Sequence, residues 1–278
     1  MTSTLNTGHL QKTIWLIGCG NMGGAMLLGW IADGVDPMLI TVIDPALPDA
    51  PAGVRVLATA PAGEPSPAIL LLSVKPQALD SVAHAIAPLL GGETLLLSIL
   101  AGVEIASLRA WFAAPQNIIR VMPNMPATIG KGVTALYGNA SDAKVRAEAT
   151  ALMLPLGMVE WISDETLFDA VTAVSGCGPA FVFRFIEAMA QAGVALGLPA
   201  DQAMRLALGT VEGGALLAAQ SSESVGALAD RVASPGGSTR EGLNVLDADA
   251  ALLKLMRATL TASAKRNAEM AAAARALT

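Results

Sequence analysis

The sequence predicts an α/β fold, in which a first domain of strands alternating with helices around a parallel sheet is followed by an all-α domain. Three observations carry this prediction. Short leucine-rich and β-branched runs alternate with helical stretches as far as Trp161. A glycine-rich turn follows the first of those runs directly. Beyond Asp164 the strand signal gives way to Ala/Leu-rich helical periodicity, which places the division at 1–163 and 164–278.

The strand candidates are 14–17, 39–43, 68–74, 94–99, 117–121, 133–137 and 158–161, each a short apolar run bounded by turn residues. Helical spacing of apolar residues marks 22–32, 79–90, 105–112 and 142–154 between them. The proline-dense stretch 45–67 interrupts this alternation, so the helix that would cover the sheet there is expected to be short or irregular. In the second half the helices read 165–174, 179–196, 200–220, 224–232, 239–246 and 250–277, with Gly197 stopping one and Pro199 opening the next. Small residues such as Ala207, Gly209, Gly213, Gly214 and Ala215 lie on several faces of a long helix. That pattern calls for partners on more than one side, hence an all-helical dimerisation domain.

Composition excludes several function classes. A net charge of −6 with dispersed basic residues argues against a nucleic-acid partner. Mean hydropathy of +0.55 raises the question of a membrane. The longest uncharged run, 13–32, however, carries five glycines and an Asn in a strand-turn-helix pattern, and no secretory cleavage pattern precedes it. A cytoplasmic location is expected. Cys19 and Cys177 each sit between glycines, and neither His9 nor His84 has a metal-ligand neighbour at suitable spacing, so no metal site is predicted.

Gly18-Cys19-Gly20-Asn21-Met22-Gly23 opens a helix immediately after a strand, and Asp44 stands 21 residues beyond Gly23. This is a dinucleotide fingerprint in its proper context: the glycines permit the tight turn, and a pyrophosphate can sit on the helix N-terminus. Asp44 ends the second strand, where a carboxylate accepts from ribose hydroxyls or caps the turn at Pro45; nearby Arg55 is a possible receiver of a 2′-phosphate. Val74-Lys75-Pro76 and Met122-Pro123-Asn124 close two further strands at the ligand-bearing edge. Lys75 can face the cofactor or solvent there, and Asn124 can offer its amide to the nicotinamide end or brace its turn.

Late in the chain, Ser234-Pro235-Gly236-Gly237-Ser238-Thr239 reads as a turn that opens a helix, with Ser238 and Glu241 spaced as a capping box. The backbone N–H groups just inside that helix, those of Thr239 and Arg240, are left for an anion such as a carboxylate. General acids are scarce: His9 and His84 lie away from the expected cleft, and the second half offers only Lys254 and Lys265. A substrate already protonated on nitrogen needs hydride and orientation but no strong acid, so imine reduction fits better than ketone reduction.

The chain resembles pyrroline-5-carboxylate reductases over nearly its whole length. The resemblance runs from Ile17-Gly18-Cys19-Gly20-Asn21-Met22-Gly23 through Val74-Lys75-Pro76 and Arg120-Val121-Met122-Pro123-Asn124 to Val174-Ser175-Gly176-Cys177-Gly178-Pro179-Ala180-Phe181 and Asp230-Arg231-Val232-Ala233-Ser234-Pro235-Gly236-Gly237-Ser238-Thr239. It implies a Rossmann-type domain with a helical dimerisation domain, reduction of pyrroline-5-carboxylate to proline, and dimers that can assemble further. By position it places substrate contacts at Ser234 and Thr239, a carboxylate-holding loop at Gly236, Gly237 and Ser238, and the orienting or protonating hydroxyl at Thr239. Glu165 and Glu223 fall where the family has polar groups near the site. Asp44 departs from residues compatible with a 2′-phosphate, which leaves the cofactor as NADPH or NADH. The alternatives are a β-hydroxyacid dehydrogenase-like enzyme, against which the missing lysine after Ser175-Gly176-Cys177-Gly178 counts, and a non-catalytic nicotinamide-binding protein.

Overall fold

A computed structural model describes residues 11–138 and 142–275; His9 and Leu277 lie outside them. The chain forms two compact units, one of residues 1–177 with 263–278 and one of residues 178–262.

The first unit is built on eight strands: β1 (Ile14–Ile17), β2 (Ile40–Ile43), β3 (Arg55–Leu57), β4 (Ile69–Leu72), β5 (Leu95–Ser98), β6 (Asn117–Met122), β7 (Gly132–Gly138) and β8 (Gly157–Trp161). They form one sheet in the order β3-β2-β1-β4-β5-β6-β7-β8. The order reverses at β1, which puts a ligand crevice at the carboxyl ends of β1 and β4.

Strands β1, β4 and β5 are buried along their length, and apolar but for Ser98, because both sheet faces are covered. Ile14 and Leu16 of β1 point into one core with Met26, Leu27 and Trp30 of α1 (Asn21–Ala32). Trp15 and Ile17 point into the other, with Leu79, Ala83 and Ile86 of α2 (Leu79–Ile86) and Leu108 of α3 (Ile105–Trp111). The period of two along each strand thus feeds two separate cores. Trp30 also donates its indole N–H to Leu152 C=O at 2.7 Å, which ties α1 to α4 (Ala143–Met153).

Two features of the sheet differ from the sequence expectation. The expected all-parallel sheet reverses once, since β7 runs antiparallel to β6 and β8 follows β7 in parallel. Only residues 123–131 join β6 to β7, too few for a crossover; Pro123, a 3-10 turn at Met125–Ile129 and left-handed Gly130 turn the chain straight back. The proline-dense stretch also holds an unexpected strand, β3, while no helix covers that crossover among the described residues. A three-residue edge strand flanked by prolines leaves no alternation to read.

The helix expected at 165–174 is likewise irregular: a 3-10 turn at Glu165–Leu167, α5 (Phe168–Val171) and a π-turn at Thr172–Gly176. The hydroxyls of Thr172 and Ser175 bond back to the carbonyls of Phe168 and Val171, and the Cys177 N–H reaches the Thr172 carbonyl at 2.9 Å. Such back-bonding competes with the regular ladder and favours the wider turn. Beneath this segment Arg120 of β6, with only 5% of its side chain exposed, pairs with Glu165 at 2.9 Å and stacks on the Phe168 ring. Residues 263–275 of α10 (Ala251–Arg275) pack nearby, with Arg275 on Glu104 and the Asn267 amide on Asp169 C=O.

The second unit comprises α6 (Gly178–Ala195), α7 (Ala200–Gln220), α8 (Val225–Val232), α9 (Ser238–Asp247) and the start of α10. Its own core is small, formed by Ile186 and Ala190 of α6 against Ala203 and Ala207 of α7.

Asp169 supplies a pH-dependent test of the charged cluster. Burial raises its carboxyl above the ordinary range, Glu104 adds to the shift, and Arg120 and Arg275 oppose it. A carboxyl raised on folding contributes stability that is complete below its unfolded value of about 3.9 and lost as pH rises through the folded value. Asp169→Asn is therefore expected to increase stability at pH 7, with a gain that shrinks toward pH 4. Urea unfolding at several pH values checks this, and a loss of stability at pH 7 would contradict it.

Candidate active site

At the end of β1 the chain must turn sharply to start α1. Gly18 does so with φ +85°, and a Cβ there would come within 2.6 Å of the Ser73 carbonyl oxygen. A Cβ on Gly23 would meet the Gly18 carbonyl at 2.6 Å and the Ser73 hydroxyl at 2.7 Å. Gly20 is different: its missing Cβ faces no atom within 4 Å. Two glycines therefore serve close packing, whereas the third leaves room for something outside the chain.

The helix start adds backbone donors beside that space. Gly20 is the N-cap of α1 and supplies no side-chain cap. The first helical bond runs from the Gly24 N–H to the Gly20 carbonyl at 2.8 Å, so the N–H groups of Asn21, Met22 and Gly23 have no intrahelical acceptor. Open donors at the positive end of a helix, behind a cradle without a Cβ, fit a dinucleotide pyrophosphate. A groove of about 750 Å³ opens beside this loop, with Cys19, Gly20 and Asn21 at one end and Asp33 at the other.

Neighbouring strand ends surround this glycine loop. The Gly18 N–H donates to the Ile43 carbonyl, and the Ser73 N–H to the Ile17 carbonyl. Asp44 accepts from the Cys19 N–H at 2.8 Å and from the Ala46 N–H at 2.9 Å, so it both braces the glycine loop and caps the turn at Pro45. Burial, with the Asp44 carboxylate adding to it, pushes the Cys19 thiol up, which keeps it protonated and a poor nucleophile. Val74 touches the loop near Gly18, while Lys75 is exposed and leads into a 3-10 turn begun by Pro76. Ser73, not singled out in the sequence, walls the loop with both its carbonyl and its hydroxyl; a small polar residue ending an apolar run was its one signal.

Asn124 is buried and braces its surroundings. Its Oδ1 accepts from the Val133 N–H at 2.8 Å and its Nδ2 donates to the Ser175 carbonyl at 2.9 Å, joining the end of β6 to β7 and to the π-turn. One amide N–H remains for a ligand. Glu165 is committed elsewhere, accepting from the Arg120 guanidinium and from the Ile105 N–H at the start of α3. Among the described residues no cluster of His, Cys, Asp and Glu is arranged to hold a metal.

In the second unit, Ser234-Pro235-Gly236-Gly237 forms a turn closed by the Gly237 N–H on the Ser234 carbonyl at 3.0 Å. Proline followed by a glycine at φ +70° is the signature of a type II turn. The expected capping box is absent: α9 begins at Ser238, its N-cap is Gly237, and no side chain caps it. The helix starts one residue earlier than the capping reading, because Gly237 adopts the extended N-cap conformation and its carbonyl takes the Glu241 N–H. The open donors are consequently the N–H groups of Ser238, Thr239 and Arg240. The Arg240 guanidinium binds Asp230 at 2.8 Å and anchors the helix start to α8, and Ser234, Ser238 and Thr239 are exposed. Glu223 pairs with Arg231.

The comparisons with known proteins agree with this geometry. Residues 13–102 match a model described as NADP oxidoreductase, coenzyme F420-dependent, and residues 165–270 match one described as pyrroline-5-carboxylate reductase dimerisation. The Pseudomonas aeruginosa pyrroline-5-carboxylate reductase is 38% identical over 93% of this chain and 96% of its own length. The chain belongs to the pyrroline-5-carboxylate reductase family. The Escherichia coli reductase is 39% identical over 86% of this chain and 91% of its own. Among solved structures, the Coxiella burnetii reductase superposes with a TM-score of 0.84 at 32% identity, covering 93% of this chain and 98% of that one. The Plasmodium falciparum reductase, solved with NADP bound, superposes at 0.82 with 27% identity over 94% and 98% of the two chains. The Rossmann-type sheet followed by a helical region is the architecture of these reductases, and the hydroxyacid dehydrogenase alternative is not favoured.

Gly20 and Gly23 make separable predictions. Gly20→Ala is expected to leave the melting temperature within about 2 °C of the parent but weaken cofactor binding by roughly 10-fold or more, since the new methyl fills the cradle. Gly23→Ala, forced against Gly18 and Ser73, is expected to lower the melting temperature itself. Thermal unfolding beside cofactor titration separates the two effects.

Proposed function

We propose that this chain reduces 1-pyrroline-5-carboxylate to L-proline, using NADH or NADPH. The observation that carries the reading is the turn at 234–239, where three adjacent backbone N–H groups stand open at an uncapped helix start in a member of this family. That is a receptor for a small carboxylate. Gly236 and Gly237 allow the backbone to approach it, and the hydroxyls of Ser234 and Ser238 flank it.

When bound, the reduced nicotinamide supplies a hydride. The ring imine arrives protonated, its C=N carbon accepts the hydride, and the nitrogen keeps the former π pair, so the product is a neutral secondary amine. No strong acid is consumed, in keeping with the absence of histidine from the second unit. The Thr239 hydroxyl is the group assigned to orient the ring N–H or to return a proton to it. Gly18 to Gly23, Asp44, Val74 to Pro76 and Asn124 form the cofactor side.

Residues 164–278 are proposed as the dimerisation and substrate domain of a homodimer or a larger assembly of dimers. Exposed Phe183, Phe185, Leu206, Leu208, Leu216 and Leu217 on α6 and α7 support this. The helical run Glu165–Ala195 is long and apolar enough to cross a membrane by length and composition. The π-turn, Asp169, Arg184 and Glu187 within it favour a protein partner over lipid. The net charge of −6 speaks against nucleic acid, and two free cysteines accord with the cytoplasm.

Spectrophotometric oxidation of NADH or NADPH in the presence of pyrroline-5-carboxylate tests the reaction; well-folded protein that oxidises neither would refute it. Thr239→Ala is expected to lower kcat/KM roughly 10-fold to 100-fold, the scale of one lost transition-state hydrogen bond. Unchanged kinetics would remove Thr239 from the mechanism.

A further inference from the structure

We infer that the adenosine end of the cofactor site is built for NADH and excludes the 2′-phosphate of NADPH, with Asp44 as the specificity-determining residue. The inference rests on the proposed nicotinamide-dependent reaction. Asp44 stands immediately after β2, and its carboxylate is fixed by two backbone bonds, from Cys19 at 2.8 Å and from Ala46 at 2.9 Å. Each oxygen keeps a further lone-pair direction, which is what the two hydroxyls of an adenosine ribose require. Because the first of these bonds comes from the glycine loop itself, the charge cannot swing away without releasing that loop.

A 2′-phosphate needs donors or cations, and the turn beside Asp44 has spent its donors. Pro45 and Pro48 have no N–H. The Ala46 N–H is on the Asp44 carboxylate, and the Leu47 N–H is on the Asp44 carbonyl at 3.0 Å. Residues 44–54 and 56–74 contain no Lys or Arg, but they do contain Asp44, Asp49 and Glu64. Arg55 is the one base in the crossover from β2 to β4, and it is misplaced and occupied. The β2–β3 register sets it opposite Thr41, three residues short of Asp44, about 10 Å back along the strand. Its guanidinium is held by both Glu64 oxygens, at 2.8 and 2.7 Å. A dianionic phosphate beside Asp44 would therefore meet a fixed negative charge with no free base in the β2–β4 crossover to offset it.

Titration of the intact protein with NADH and with NADPH, by calorimetry or by nicotinamide fluorescence and without imine, reads this directly. NADH is expected to bind at least about 10-fold tighter than NADPH. Asp44→Ser should bring the two within roughly 3-fold, mainly by strengthening NADPH. Since Asp44 also braces the loop, Ala46→Arg provides a second variant that leaves Asp44 in place: it should tighten NADPH several-fold with little effect on NADH. Wild-type protein that binds NADPH as tightly as NADH would overturn the inference, as would a folded Asp44→Ser protein with an unchanged ratio. Tight NADH binding without turnover of pyrroline-5-carboxylate would instead uphold the inference and refute the proposed reaction.

Discussion

The cofactor side of this molecule depends on the tight reversal of chain at the end of β1. Gly18 has to turn with positive φ while its N–H remains bonded to Ile43 and its Cα lies against Ser73. Three strand ends are thereby fixed to one another by backbone contacts. The open N–H groups of α1 inherit their position from that junction, as does the Asp44 carboxylate through its bond to Cys19. Side chains contribute little to this part of the site, which is why it is written mainly in glycine.

What could be read from the chain follows from how local each feature is. The glycine turn, the helix after it and most strands were legible because strand and helix periods and turn residues are written over a few adjacent positions. Direction was not: whether β7 runs with or against β6 depends on how residues 123–131 fold back, and nothing in the apolar run 133–137 records it. The tie between Asn124 and Ser175 spans 51 residues and has no sequence signature beyond two polar residues in apolar company. Glu165 shows the same limit, since it serves Arg120 and the start of α3, 45 and 60 residues away.

The loop at 234–239 was legible as a turn and misread as a cap, and the difference has chemical consequences. With Ser238 as N-cap, its side chain would satisfy one donor and two would remain. With Gly237 as N-cap no side chain is spent, and the donors of Ser238, Thr239 and Arg240 all remain. A helix start capped by glycine instead of serine gives up a few tenths of a kcal/mol. Such a loss is understandable where a ligand carboxylate takes the place of the cap.

The helical unit extends this reasoning from one loop to a whole surface. Among the described residues its buried cluster rests on four small or medium side chains, while Phe183, Phe185, Leu206 and Leu208 are about half exposed. A unit of this size has too little interior to offset the entropy of ordering its helices. The segment that carries this apolar surface matches a model of pyrroline-5-carboxylate reductase dimerisation. Under the proposed function, association of two copies and stability of this unit are then a single process, so dilution should loosen the helices that bear the carboxylate loop before it disturbs the sheet.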